Sequence, residues 1–335
     1  GAGIMDFDNA ELKSKIFEFQ NMTFNADTSD FKLKSDTTDL DLASVNDPGN
    51  GIAFSTNDVN SKIDFNKRVG EFVANGGASF VDFPMNSYIC FMDQFKWFMD
   101  NFSLELSSSD DNAVKGTSTA GGNDLDLAGS EFISTHADQD SLKFISPKAN
   151  YDLKDYVIKA HDVKYINVAD ARVYPSDGEV VVKRAAELVP LIGAEIIANI
   201  TTQYHTITNS TVNIKARRRY YAEGDYEYIS ANGGKQLVHF NNIRVDSAYQ
   251  TVASGNIKVK DKFMLSPDFG YRGSTRIEAN KKGMLFRGAA KLQHACNKLN
   301  KPWFGFESEI DPLNVMIPID SGIQSWVKGK AKGTK

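Results

Sequence analysis

Apolar residues recur two apart along this chain in short bursts: Met22 and Phe24, Phe31 and Leu33, Leu40 and Leu42, Ile52 and Phe54, Ile63 and Phe65. Period-two alternation puts each pair on one face of a strand, and spacings of roughly ten residues between pairs are the rhythm of short strands in all-β folds. Between the bursts lie Asp27-Thr28-Ser29-Asp30, Asp47-Pro48-Gly49-Asn50-Gly51 and Asn75-Gly76-Gly77. Each can supply an Asx turn or a residue with positive φ. The alternation resumes after Val163, with Val180/Val182, Val212/Ile214, Tyr226/Tyr228, Ile243/Val245, Ile257/Val259 and Phe263/Leu265. The pattern predicts an all-β protein of stacked short strands, either a β-solenoid or an elongated open β-jellyroll.

Two echoes refine this. Asp170-Ala171-Arg172-Val173, Gly193-Ala194-Glu195-Ile196 and Asn209-Ser210-Thr211-Val212 read as a degenerate repeat with unequal spacing. Ala253-Ser254-Gly255, Tyr271-Arg272-Gly273 and Phe286-Arg287-Gly288 place glycine inside strands, where it marks a bulge or the close approach of another backbone. The Ala-rich stretches from Lys183 to Ile200 and from Gly288 to Leu299 have some helical character, but Pro190, Gly193 and Gly288 interrupt them and they are read as strands. The expected organisation is a first β-stack over 1–106, a Gly/Ser/Asp-rich loop or boundary over 107–129, a second β-stack over 130–320, and a Lys-rich tail over 321–335. The first residues lack the basic and apolar regions of a signal peptide and the Lys-rich far end has no evident structural stop, so both ends are expected to be cuts through a longer chain.

Composition agrees with many turns. Asp outnumbers Glu 30 to 13 and Phe outnumbers Leu 22 to 18, the reverse of a helical protein's balance. Lys and Arg number 38 against 43 Asp and Glu, a net charge of -5, which leaves no basic excess for nucleic acid. The longest apolar stretch, Leu188 to Ile200, is too short to span a bilayer, so no transmembrane helix is expected. Cys90 and Cys296 lack metal-binding spacing and are read as two buried thiols.

The run from Asn86 through Phe91-Met92-Asp93-Gln94-Phe95-Lys96-Trp97-Phe98-Met99-Asp100 to Leu106, with the Gly-punctuated strands after Ile243, resembles large uncharacterised β-rich envelope proteins of Gram-negative bacteria. That resemblance covers most of Phe72 to Asp320. Through Ala253-Ser254-Gly255-Asn256-Ile257 the chain is distantly similar to the organic-solvent-tolerance family of lipopolysaccharide transport proteins. The resemblance implies an open twisted β-jellyroll whose inner apolar face carries acyl chains, and it transfers no individual lipid-binding residue.

Candidate chemistry is sparse. Lys215, Arg217 and Arg219 alternate and are expected on one strand face, with Tyr220 and Tyr221 following, a pattern that suits phosphates, anionic glycans or lipid headgroups and equally a charge-guarded edge. Asp124 and Asp126, in Gly121-Gly122-Asn123-Asp124-Leu125-Asp126-Leu127, overlap one copy of a calcium-binding β-roll repeat, although such rolls need tandem copies and a plain Gly-rich turn reads as well. Asp39-Leu40-Asp41 alternates without the glycines and reads as a solvated strand. The aromatic band Tyr88, Phe91, Phe95, Trp97, Phe98 and Phe102 reads as packed core, with a sugar or lipid platform as the other possibility. His136, His161, His205, His239 and His294 show no metal-ligand spacing, no GxSxG elbow or P-loop occurs, and no cofactor is implied.

These features point to a non-enzymatic structural or lipid- or glycan-handling module of the bacterial cell envelope, part of a larger extracytoplasmic protein. Expected partners are lipopolysaccharide, an anionic glycan or other envelope proteins. A carbohydrate-active β-helix enzyme or its accessory binding domain, and a calcium-stabilised secreted β-roll or adhesin, remain alternatives.

Overall fold

A computed structural model describes residues 3–7, 9–35, 51–76, 79–109, 127, 129–296, 301–318, 324–327 and 330–333. The protein is all-β, 63% strand, and forms two curled antiparallel half-barrel sheets; among the described residues there is no α-helix. The chain divides into two compact units. One comprises Gly1–Asn167, Tyr174–Pro190 and Lys215–Arg217, the other Val168–Val173, Leu191–Ile214 and Arg218–Lys335.

The first sheet is built on a long hairpin of β4 (Thr23–Lys34) and β5 (Ile52–Asp64). β1 (Gly3–Phe7) pairs with β2 (Ala10–Ser14), and β2 and β3 (Ile16–Gln20) share the free edge of β4. Their break is stitched by Ser14, whose Oγ accepts from Ile16 N (3.1 Å) and donates to Asp27 O (2.6 Å). The other edge of β5 forks: Ser55 and Thr56 pair with β7 (Val81–Phe83), and Val59 to Asp64 pair with β6 (Val69–Ala74). Asp58 sits at the fork with φ 54°, and its carbonyl accepts from Asn75 N (3.0 Å) and Ser79 Oγ (2.9 Å). From β7 the sheet continues through β8 (Tyr88–Cys90) and β11 (Ser130–Ser134) to β12 (Lys143–Ser146). From β6 it continues through β9 (Gln94–Phe98), β10 (Ser103–Ser107), β13 (Lys148–Asp152) and β14 (Val157–His161) to β17 (Val180–Val182).

Aromatic rings fill the inside of this sheet. Phe31 lies 4.3 Å from Phe72, Phe72 stacks on Phe95 at 4.5 Å, and Phe54 meets both Phe95 (5.3 Å) and Phe83 (5.6 Å). Phe83 on β7 then touches Tyr151 on β13 (4.9 Å), although β5, β6, β9 and β10 separate them in sheet order. Only a curled sheet brings those rings together, and Tyr151 completes the contact by donating to Ala53 O (3.0 Å). Each ring pair contributes roughly 0.5–1.5 kcal/mol beyond its area burial.

The second sheet is largely a meander. It runs from β15 (Ile166–Val168) and β16 (Ala171–Tyr174) through β18 (Leu191–Ala198), β19 (His205–Ala216), β20 (Arg219–Ile229), β21 (Lys235–Val245) and β22 (Thr251–Ile257). It continues through β24 (Phe269–Glu278), β25 (Met284–Leu292), β26 (Trp303–Ile310), β27 (Gln324–Val327) and β28 (Lys330–Gly333), with β23 (Met264–Ser266) paired to β24. Tyr228 of β20 reaches Phe286 of β25 (6.1 Å), again across intervening strands. The two stretches of partial helical character are strand in part: Leu191–Ala198 (β18) and Gly288 to Leu292 within β25 pair as expected, while Arg184–Ala186 forms a 3₁₀ turn.

The echoes have different physical causes. Gly193 (φ 70°) and Asn209 (φ 50°) are left-handed residues at bulges in adjacent strands, and Ala194 pairs with Ser210 just beyond them. The second and third copies of the phrase therefore mark bulges on the two strands of one hairpin, whereas the first, Asp170 to Val173, opens β16. Gly273 and Gly288 face each other across β24 and β25, with the hydroxyl of Tyr271 over both. A Cβ on Gly288 would stand 2.3 Å from Arg272 O, so the close approach expected of these glycines is that of neighbouring strands under a tyrosine. Most of 107–129 lies outside the described residues, and β10 and β11 on either side of it belong to one sheet.

Gly288→Ala should lower stability by about 1–3 kcal/mol, the usual cost of forced overpacking. Gly76, whose Cβ would meet nothing within 4 Å, provides the control. Urea midpoints test this, and equal midpoints for Gly288→Ala and Gly76→Ala would count against the contact.

Candidate functional site

The cationic cluster lies on the β19–β20 hairpin. Lys215 is in the last turn-ward part of β19, Arg217 and Arg218 form the turn, and Arg219 opens β20. The expectation that Lys215, Arg217 and Arg219 share one face of a single strand is thus corrected, because the chain reverses between Ala216 and Arg219. All three side chains remain exposed. Arg217 Nε stands 3.7 Å from Asp140 Oδ2 and its backbone N–H donates to Gln139 O (3.0 Å). Such an exposed ion pair contributes about 0–1 kcal/mol, so it positions Arg217 more than it stabilises the fold.

The anchor beneath Arg217 is well built. His136 caps the 3₁₀ turn Ala137–Gln139 through Nδ1, which accepts from Asp138 N (3.2 Å), and Asp140 leaves the turn at φ 52°. Gln139 is buried, accepts from Tyr88 OH (3.1 Å) and donates to Ala186 O (2.5 Å). Burial pushes the Tyr88 phenol well above its ordinary range, keeping it a neutral donor.

The remaining candidates separate. Of the aromatic band, Tyr88, Phe95 and Trp97 are core, whereas Phe91 and Phe102 are exposed at 42% and 43%. The band is therefore not wholly packed: Phe91 and Phe102 lie outside regular strands, where alternation no longer points a side chain inward. Asp124, Asp126, Asp39 and Asp41 lie outside the described residues. Among the described residues no three His, Cys, Asp or Glu side chains gather to hold a metal ion. Cys90 is buried and Cys296 is exposed, both as free thiols, which corrects the expectation of two buried ones. Cys296 follows the end of β25, beyond the part of that segment that pairs as strand.

The surplus Asp is largely turn material. Asp64 Oδ1 accepts from Asn66 N and Lys67 N, Asp152 Oδ1 from Lys154 N and Asp155 N, and Asp246 Oδ1 from Ala248 N and Gln250 N. The Lys67 amide, ahead of the other contacts, holds the Asp64 carboxyl below its ordinary range.

Three constellations were not legible in the linear pattern. Asp225 Oδ1 lies 2.9 Å from His239 Nδ1 on the solvent face of β20 and β21, an oriented imidazole created by strand register. Asp170 Oδ1 accepts from Thr251 N (2.9 Å) and Thr251 Oγ1 (2.6 Å), while Tyr220 OH meets the same hydroxyl at 2.8 Å. Burial raises the Asp170 carboxyl above its usual range. Third, Arg272 and Lys291 surround Trp303 on the solvent face of three successive strands of the second sheet.

No family model matches the chain, and neither curated proteins nor solved structures include a match. Among the described residues no helix is long and apolar enough to cross a membrane.

Two measurements follow from buried groups. Burial pushes the Cys90 thiol up to about 12, so at neutral pH a thiol reagent should label Cys296 rapidly and Cys90 only on unfolding. Rapid labelling of both in the native protein would contradict the buried position. His205 is fully buried; its Nε2 donates to Lys281 O (2.7 Å), leaving Nδ1 to accept from Tyr226 OH (3.3 Å). Burial lowers its pKa from the ordinary 6.5, so its stabilisation is complete above pH 6.5 and is lost as pH falls through the depressed folded value. Urea midpoints should therefore decline more steeply below pH 6.5 in the wild type than in His205→Gln, and parallel declines would exclude this role.

Proposed function

We propose that the chain is a non-enzymatic structural or lipid- or glycan-handling module of the bacterial cell envelope, working outside the cytoplasm. The observation that carries this reading is an exposed apolar margin on the first sheet. Ile4, Ile16, Phe19 and Met22 are each at least half exposed around β1, β3 and the turn after β3. Phe17 and Phe19 stack at 6.1 Å and both touch the buried Phe24, so the margin continues into the aromatic interior. Ile4 and Ile16 lie on the outer face of this margin and Phe19 on the inner, so both faces present apolar side chains, which suit contact with acyl chains or another protein rather than water.

In this reading the elongated open β-jellyroll is the better description of the architecture, supported by antiparallel pairing and by inner faces lined with rings. Kinship with the β-rich envelope proteins and with the lipopolysaccharide transport family belongs to the same proposal. The exposed Lys215, Arg217 and Arg219 supply cations for phosphate or carboxylate groups of lipopolysaccharide or an anionic glycan. A second reading, a carbohydrate-active enzyme or accessory domain, is favoured by the Asp225–His239 pair, because a carboxylate that fixes an imidazole leaves its other nitrogen available as a base.

Co-sedimentation with lipopolysaccharide, set beside a depolymerisation screen on anionic polysaccharides, divides the two. Binding without turnover is expected, and neutralising Lys215, Arg217 and Arg219 together should weaken it by about tenfold at low salt. Turnover that disappears in His239→Gln would replace the module by the enzyme, and unchanged binding in the triple variant would remove the cationic turn from the site.

A further inference from the structure

Where the first sheet runs from β5 through β7 and β8 to β11 and β12, register fixes which side chains share a face. Thr56 pairs with Val81, Val81 with Cys90, Cys90 with Phe132 and Phe132 with Phe144, and this whole row is buried. Alternation therefore turns the positions on either side of the row outward. On one side stand Asp82, Ile89 and Ile133, paired in that order across β7, β8 and β11. On the other stand Phe80 and Phe91, which follow the Val81–Cys90 pair and are exposed at 39% and 42%. Two exposed rings and a carboxylate thus meet on the outer face of one short strand pair.

The carboxylate is uncompensated. Asp82 is half-buried, and among the described residues no hydrogen-bond donor and no cation reaches it; burial alone raises its pKa. Ser55 and Ile89 lie opposite it on β5 and β8, and neither carries positive charge. Glu131, the other carboxylate of this face, is already matched by Lys143 at 2.6 Å. Asn57, one residue beyond the Thr56–Val81 pair, adds a second unmatched acceptor, since its Oδ1 is buried without a donor.

What this face leaves unmatched is therefore acceptors, electron-rich rings and one negative charge. A neutral sugar brings donors and acceptors in similar measure, whereas an organic cation brings donors and charge together. Guanidinium suits the arrangement best, because its plane lies on a phenyl face by cation–π attraction while its N–H fork meets a carboxylate. Phe80 and Asp82 are two residues apart on one strand, about 6–7 Å, so a single planar cation reaches both. Ile89 and Ile133, half-buried beside them, offer an apolar seat for whatever flanks that cation.

We propose that Phe80, Asp82 and Phe91 form a docking site for an arginine side chain of a partner polypeptide, with the guanidinium between the rings and the Asp82 carboxylate and the arginine's apolar neighbours over Ile89 and Ile133. Such a site serves a protein partner and works independently of the Lys215–Arg219 turn.

Titration calorimetry of the full chain with a capped pentapeptide that alternates leucine and arginine tests this, with the citrulline-for-arginine peptide and cellohexaose as parallel arms. Saturable binding of the arginine peptide is expected, weaker by about tenfold or more in Asp82→Asn and in Phe80→Ala/Phe91→Ala. It should be lost with citrulline, which keeps the shape and removes the charge. Asp82→Asn removes an uncompensated carboxylate and should not lower the thermal midpoint, so it decides the question even where the double phenylalanine variant loses its fold. Equal affinity for the citrulline peptide, unchanged affinity in Asp82→Asn, or loss of binding only in Phe19→Ala at the β3 margin would overturn the site. Binding of cellohexaose but not of the arginine peptide would overturn it in favour of a glycan, and failure of the wild type to bind the arginine peptide would overturn it outright. Co-sedimentation with lipopolysaccharide should be the same in Asp82→Asn and the wild type, which keeps this test separate from that of the module reading.

Discussion

Burial of aromatic rings inside curled sheets is the constraint on which the rest of the molecule depends. A flat antiparallel sheet cannot bring Phe83 to Tyr151, or Tyr228 to Phe286, because the strands that carry them are not neighbours. Twist and bulges let the sheet close upon its own apolar face, and large rings suit that job because each spans the gap between strands that do not hydrogen-bond to each other. Where tyrosine replaces phenylalanine inside, the hydroxyl has a specific acceptor: Tyr151 donates to Ala53 O and Tyr228 to Leu265 O (2.8 Å). The rings therefore shape the curl, and the phenols fix its register to particular backbone carbonyls.

Curling also requires places where the ladder bends. Asp58 at the fork of β5, the bulges after Gly193 and Asn209, and the facing Gly273 and Gly288 serve that need by different means: a left-handed Asp, bulged residues, and the absence of Cβ atoms. The Asp and Asn surplus finds its main use at the strand ends, where carboxylates and amides accept from backbone N–H groups two to four residues on. Those side chains are occupied with turns, which limits what the abundance of carboxylates says about catalysis.

The exposed charged and aromatic groups consequently lie on the outer faces and margins. Strand register places Asp225 against His239, and Arg272 and Lys291 around Trp303, while hairpin geometry divides Lys215 from Arg219 by a turn. The outer face is thus patterned with local pairs, and the margin of the first sheet at β1 and β3 leaves Ile4, Ile16 and Phe19 exposed.

Strands, turns and the inward sides of most strands were legible in the chain, because alternation and turn chemistry are local properties. Phe31, Leu33, Phe54, Ile63, Tyr228 and Phe263 are all buried, as their spacing required. The same logic misled where a strand ended within the pattern: Arg217 lies in a turn, Phe91 and Phe102 leave the core, and Val259 turns outward in a 3₁₀ segment. The sequence by itself determined an all-β chain with its turns and most of its apolar faces, since each depends on residues a few positions apart. Tertiary structure alone decided which strands pair, how the sheets curl and which side chains meet on their outer surfaces, because register and curl arise from contacts between residues tens of positions apart that no local spacing encodes.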